Sequence, residues 1–204
     1  MGGGGLGRPV AIGSISSIPI QLRLSPAWLL ILALMTVSSS PYFRGGWLAF
    51  VSLYPALGPA AQWCLAGLAA PTLYLSAFVH ELAHSLVATH QEVKVKSIVI
   101  SILGGASFFT GEPEARSDLL IAAAGPAANL LIASAMAAVG WLAALASPPL
   151  GAYAQCLALA NLAVGAFNLL PVFPLDGGRL VRAAQAGARR QLAMLSESGR
   201  GSSC

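Results

Sequence analysis

Charged side chains are scarce in this sequence. Only 9% of its 204 residues are Asp, Glu, Lys or Arg, whereas 56% are hydrophobic. A soluble domain carries about 25% charged residues, so the composition excludes an ordinary soluble protein and predicts an integral membrane protein. The length suits a single membrane-embedded domain. We expect it to span residues 1–204, with a flexible Gly-rich tail at 1–14 and a polar C-terminal tail at 183–204.

Cysteine is also rare. The three cysteines, Cys64, Cys156 and Cys204, are odd in number and far apart. They match neither a disulfide framework nor a paired-cysteine metal site, so we expect small apolar packing residues. The chain does not open with a basic segment, a short apolar stretch and a cleavage site, and we therefore expect no cleaved signal peptide.

The fold class is predicted from the long apolar runs in the sequence. They indicate an all-α polytopic membrane protein of about four transmembrane helices, with a small β-hairpin or sheet region near the cytoplasmic face. Gly and Pro repeatedly interrupt residues 41–61, which favours an interfacial or re-entrant segment there. The four predicted spans are residues 26–37, 62–89, 119–146 and 152–168, with a turn at 147–151.

Short stretches alternate apolar and polar residues with period two, as strands do. They lie at residues 18–24 and 91–102, with a return strand at 106–110. The strands at 91–102 and 106–110 can form a sheet edge on which an extended substrate pairs, or they can form a plain connecting hairpin. The sequence leaves both interpretations open. The charged residues that follow predict a solvated loop: Glu112, Glu114, Arg116 and Asp118.

Basic residues are distributed unevenly between the predicted loops. With four spans, ten of the eleven Lys and Arg residues fall on the side of the two tails and the 89–118 loop, and only Arg44 falls opposite. The positive-inside rule then predicts a multi-pass protein of the cell membrane with both termini cytoplasmic. The net charge of +4 is thus explained by topology and contact with anionic lipid, and we expect no nucleic-acid binding.

A His-Glu-x-x-His motif lies at residues 80–84, inside an apolar run. His80 and His84 are four residues apart, so on a helix they share one face and can bind one zinc ion. Glu81 follows directly, where its carboxylate can take a proton from a water at the metal. Imidazole and carboxylate groups at membrane depth are costly, which makes them a functional signal.

A catalytic zinc takes three protein ligands, so a third must come from elsewhere. His90 is six residues after His84, on another face of the helix, and is expected at the surface. Asp176 is the better choice, because it lies at the predicted depth of His84 at the end of the fourth span. The Asp-Gly-Gly sequence that Asp176 begins, taken alone, favours a turn residue over a metal ligand.

Three separated motifs resemble those of the site-2 protease family of intramembrane zinc metalloproteases, peptidase family M50, in its bacterial and archaeal branch. The resemblance extends over roughly residues 10 to 185. The motifs are His-Glu-Leu-Ala-His at 80–84, Gly-Pro-Ala-Ala-Asn at 125–129, and Asn-Leu-Leu-Pro-Val-Phe-Pro-Leu-Asp-Gly at 168–177.

The resemblance implies roles for individual residues. By it, His80, His84 and Asp176 bind Zn²⁺ and Glu81 is the catalytic acid and base. Asn168 corresponds to a family asparagine that contacts the substrate or the transition state. Asn129 is a second such contact, or else a helix-packing hydrogen bond. The implied partner is a membrane-spanning regulatory protein, cleaved by regulated intramembrane proteolysis.

The sequence departs from the family after Arg182. Family cores commonly carry two further helices, and nothing here is apolar for long enough to span again. One alternative is therefore a catalytically impaired short homologue that acts as an adaptor for membrane helices. Another is a non-enzymatic zinc-binding membrane protein. The titratable residues at depth cluster near one face, which argues against a transport path.

Overall fold

The computed structural model describes residues 9–22, 59–101 and 104–201. In these ranges four strands and four helices follow one another along the chain. The strands are β1 (Val10–Ile15), β2 (Ile18–Leu22), β3 (Val95–Ser101) and β4 (Gly104–Phe109), and the helices are α1 (Pro59–His90), α2 (Ala115–Ala146), α3 (Pro148–Asn168) and α4 (Asp176–Gly201).

The strands form one mixed sheet in the order β1-β2-β3-β4. β2 pairs antiparallel with β1 and parallel with β3, and β3 pairs antiparallel with β4. Helix α1 packs against β3 and β4. β4 ends the described sheet, so both interpretations of the predicted hairpin stay open.

Strand β1 lies where the sequence predicts a flexible tail, and the structure corrects that boundary. Residues 10–14 fold back onto β2 through a turn at Ser16 and Ser17, whose φ angles are 49° and 66°. Two consecutive residues of positive φ form the tight turn that suits the twist of a hairpin. Because such turns normally carry Asn or Gly, the serine pair gave no signal in the sequence.

Helices α2 and α3 form an antiparallel pair that is joined at Ser147. The predicted turn at 147–151 is wrong, because α3 already begins at Pro148 and proline is well tolerated in the first turn of a helix. Small residues permit the close approach: a Cβ on Gly151 would overlap Ala144 across the pair. Glycine and alanine are typical of helix contacts in lipid.

Two of the described helices, α2 and α3, are long and apolar enough to cross a membrane. Large apolar side chains stand exposed along both, which suits contact with lipid: Leu131, Trp141, Leu145, Leu159 and Phe167. The predicted span at 26–37 and nearly all of the segment at 41–61 lie outside the described residues. The total of about four spans and the cytoplasmic position of the sheet remain predictions.

The C-terminal region differs from its prediction in two respects. Residues 183–201 of the predicted polar tail, in which the Ala, Gln and Arg content indicates only a weakly helical stretch, continue helix α4 up to Gly201. Asp118, predicted in a solvated loop, is buried in the first turn of α2. Both differences have one cause, since α4 packs along α2 and brings basic side chains to that carboxylate.

Candidate metal centre

The C-terminal third of α1 carries the two motif histidines on one face. His80 and His84 are both buried and lie slightly more than one helical turn apart. Their rings meet edge to face with centroids 4.7 Å apart, and the two Nε2 atoms are 3.1 Å apart. The helix therefore directs both nitrogens at the same space.

Asp176, the first residue of α4, completes the group. Its Oδ2 atom lies 3.1 Å from Nε2 of His80 and 3.3 Å from Nε2 of His84. The fold brings these side chains together across 96 residues of sequence. His90, the other histidine considered, is an exposed residue at the end of α1 and is not in the group.

The three donor atoms suit zinc in kind and in spacing. Zinc binds imidazole nitrogen and carboxylate oxygen at about 2.0–2.2 Å, in a tetrahedron that keeps one position open at catalytic sites. Ligand atoms in such a tetrahedron are about 3.3 Å apart when the bonds are about 2.0 Å long. The observed separations are 3.1 Å, 3.1 Å and 3.3 Å, which agree with that edge length to within about 0.2 Å.

A backbone contact fixes the protonation of His84. Its Nδ1 atom lies 2.6 Å from the carbonyl oxygen of Ile121 on α2. A carbonyl only accepts hydrogen bonds, so Nδ1 carries the proton and the neutral ring presents a lone pair at Nε2. This is the usual support for a histidine that binds metal.

Gly125 of α2 lies directly over the donor atoms. A Cβ at this position would overlap Nε2 of both His80 and His84. Only glycine therefore lets α2 pass this close to the histidine face. This contact explains the glycine of the second motif, at residues 125–129, in terms of space at the metal centre.

The Asp176 carboxyl is held in its ionised form. Burial alone would raise its pKa, but the imidazole rings of His80 and His84 beside Oδ2, whenever they carry a proton on Nε2, hold the pKa well below its ordinary value. The carboxylate is thus available as an anionic oxygen donor throughout the neutral range.

Glu81 is held by a serine that the sequence did not single out. Ser107 of β4 donates through Oγ to Oε2 of Glu81 at 2.8 Å, and Ser85 donates to Ser107 at 3.0 Å. The alternation of strand 106–110 placed Ser107 on one face of β4, but no local pattern showed that this face meets α1.

The two asparagines predicted at the site have different surroundings. Asn168, the last residue of α3, donates to the carbonyl oxygen of Val164 in its own helix at 3.0 Å. Asn129 of α2 is buried, and neither polar atom of its amide has a hydrogen-bond partner among the described residues. The alternative of a helix-packing hydrogen bond at Asn129 is therefore not seen in the described part of the chain.

A further polar contact, also unsuspected from the sequence, lies one turn before His80. Ser76 of α1 donates to Oδ1 of Asn161 on α3, and both residues are buried. Hydroxyl and amide groups in hydrocarbon need partners in neighbouring helices. This contact ties helix α1, which carries the two motif histidines, to the α2–α3 pair.

Comparison with known protein families gives a match over most of the chain. The model of peptidase family M50 matches residues 68–148 and 143–198. Both the histidine motif of α1 and Asp176 at the start of α4 lie within the matched residues.

Individual relatives agree with this match. The protein named "Putative zinc metalloprotease sll0528" of Synechocystis is 34% identical over 183 residues, which cover 89% of this chain and 45% of that protein. "Putative zinc metalloprotease Rip3" of Mycobacterium tuberculosis is 37% identical over 177 residues, 85% of this chain and 43% of that protein. The chain thus spans less than half the length of these relatives.

A solved structure shares the fold. The site-2 protease from Methanocaldococcus jannaschii superposes with a TM-score of 0.55 at 24% sequence identity, over 88% of this chain and 73% of that one.

Proposed function

The chain belongs to peptidase family M50, the site-2 proteases, and on that premise we propose that it hydrolyses peptide bonds of membrane-anchored regulatory proteins at a zinc site in or at the edge of the bilayer. Its relatives are named as zinc metalloproteases, and Zn²⁺ is accordingly its cofactor. The substrate is proposed to be a membrane-spanning protein.

One observation carries the proposal. Two imidazole nitrogens and one carboxylate oxygen, from His80, His84 and Asp176, converge within 3.3 Å of one another. Glu81, the residue next to His80, presents a carboxylate that accepts a hydrogen bond from Ser107. A ligand set beside a positioned base is the arrangement that metal-assisted hydrolysis needs.

The roles of the side chains follow from their contacts. His80 and His84 would hold the metal through Nε2 and Asp176 through Oδ2, while the Ile121 carbonyl keeps the His84 proton on Nδ1. Zinc, when bound, polarises the scissile carbonyl and makes water more acidic. The Glu81 carboxylate takes the proton of the attacking water and passes it to the leaving amine. Ser107 keeps Oε2 of Glu81 oriented for both transfers.

The bilayer adds a requirement on the substrate. Carbonyl groups of a membrane helix are already bonded within that helix, so the substrate has to unwind locally before its carbonyl can be attacked. Asn168 and Asn129 are proposed to contact the unwound segment or the transition state. Exposed apolar residues on α2 and α3 support a membrane setting, and the distribution of basic residues supports cytoplasmic termini.

The test is to separate metal binding from proton transfer. Glu81→Gln is expected to keep zinc and to reduce cleavage of a co-expressed membrane-anchored substrate by about 100-fold or more, because general acid-base catalysis contributes about 10²–10⁴-fold. Glu114→Gln is the matched control, since Glu114 is exposed and its side chain makes no capping hydrogen bond.

Zinc content and cleavage are measured on the same purified membranes. Normal cleavage by Glu81→Gln contradicts the role of Glu81. A wild-type chain that binds zinc and cleaves no substrate favours the adaptor alternative instead. A wild-type chain without zinc contradicts the metal site itself.

A further inference from the structure

A partly buried ion pair joins the first turns of α2 and α4. Nη2 of Arg179 lies 2.7 Å from Oδ1 of Asp118, and the two side chains are 19% and 8% exposed. Arg182 approaches the other oxygen of the same carboxylate at 3.5 Å, but its side chain is 64% exposed. Loss of one partner from an enclosed pair leaves an uncompensated charge and is costly, whereas an exposed pair contributes little.

Arg179 also contacts the sheet. Its guanidinium carbon lies 5.7 Å from the centroid of the Phe109 ring, within the range of a cation–π contact. Phe109 lies two residues after Ser107, the donor to Glu81, on β4. The Arg179 side chain of α4 therefore contacts both α2 and β4.

Each of the three elements that meet at Arg179 places one group of the metal centre. Helix α2 supplies the Ile121 carbonyl that holds His84, three residues after Asp118. Helix α4 supplies Asp176, three residues before Arg179 and so in the same turn. Because a helical turn is stiff, any shift of Arg179 relative to α2 moves the Asp176 carboxylate relative to the histidines.

We propose that Arg179 is a positioning residue that sets Asp176 on the metal by clamping α4 to Asp118 of α2 and Phe109 of β4. The inference rests on the proposed metal site. It assigns to Arg179 the alignment of Asp176, the proposed ligand that is farthest from the others in the sequence. Residues that orient metal ligands typically change metal affinity 10–100-fold when they are replaced.

The experiment compares the zinc affinities of the wild-type chain, Arg179→Gln and Arg182→Gln. Each protein is purified in detergent, and its affinity is measured by competition with a chromogenic chelator. The absorption spectrum of each Co²⁺-loaded protein reports the ligand geometry. Arg179→Gln is expected to bind zinc 10–100-fold more weakly and to show an altered Co²⁺ spectrum. Arg182→Gln removes the same charge from the same helix and is expected to stay within about twofold of the wild type.

Unchanged affinity and spectrum in Arg179→Gln, or an equal loss in Arg182→Gln, overturns the clamp while leaving the metal site intact. A wild-type chain that binds no zinc contradicts the proposed function and the clamp together. If Arg179→Gln does not fold, the double variant Asp118→Asn/Arg179→Gln leaves no buried charge unpaired. It is expected to show the same loss, and wild-type affinity in that variant also overturns the proposal.

Discussion

At the scale of single residues, the hydroxyl of Ser107 determines how the Glu81 carboxylate is presented. Ser107 Oγ lies 2.8 Å from Oε2 and 3.1 Å from the backbone oxygen of the same residue. Hydrogen bonds to charged groups are worth about 1.5–3 kcal/mol. If Glu81 is the proposed base, a carboxylate held in this way needs less reorganisation when it accepts a proton.

Ser107→Ala is therefore expected to lower kcat/KM for a membrane-anchored substrate by about 10–100-fold, the range that corresponds to that energy. Zinc content is expected to stay normal, because Ser107 contacts none of the three ligands. The matched control is Ser117→Ala, whose hydroxyl donates to Gln91 and not to Glu81. Equal activity of the two variants would show that the Glu81 contact has no catalytic value.

Residues whose chemistry is local could be predicted from the sequence. The spacing of His80 and His84 translates directly into one helical face, and the structure shows both on that face. Asp176 was the better candidate for the third ligand by its predicted depth, but its own sequence setting also describes a turn, and the resemblance decided between the two interpretations. Ser107 could not be found at all, because its partner lies 26 residues away and the contact exists only once β4 packs on α1.

At the scale of elements, α2 passes close over the histidine face of α1, and the absence of a side chain at Gly125 leaves room for the proposed metal. Gly125 sits where any side chain would overlap the two Nε2 atoms. Gly125→Ala is therefore expected to force the helices apart or to turn the imidazoles, and so to abolish stable zinc binding.

The control for this prediction is Gly187→Ala on α4, where a Cβ meets nothing within 4 Å. In an exposed helix this exchange stabilises by up to about 1 kcal/mol, so zinc content is expected to be unchanged. Zinc per chain and thermal unfolding followed by circular dichroism check both variants. Full zinc content in Gly125→Ala would contradict the steric role of the glycine.

The sequence predicted the described elements unevenly. Period-two alternation located β2 and β3, and the length of the apolar runs located the apolar helices. These patterns missed β1, which is held by backbone pairing with β2 and keeps its side chains exposed. They also missed the full length of α4, whose polar composition resembles that of a tail until its contact with α2 is known.

At the scale of the whole molecule, the proposed orientation makes a labelling prediction. In a background of Cys64→Ser and Cys156→Ser, the native Cys204 is expected to react with a membrane-impermeant maleimide only after the cells are permeabilised. An added Ser147→Cys, in the connection between α2 and α3, is expected to react in intact cells. Alkylation of Cys204 in intact cells would contradict cytoplasmic termini and the charge distribution on which they rest.

The separation of the ligands along the chain has a thermodynamic consequence. Two of the proposed ligands come from adjacent turns of one helix, but the third, Asp176, is 96 residues from His80, so a metal bound to all three would be a cross-link that closes a long loop of chain. Metal binding and folding then become linked equilibria. Tighter metal binding raises the free energy of unfolding, and loosening of helix α4 raises the rate at which the metal dissociates.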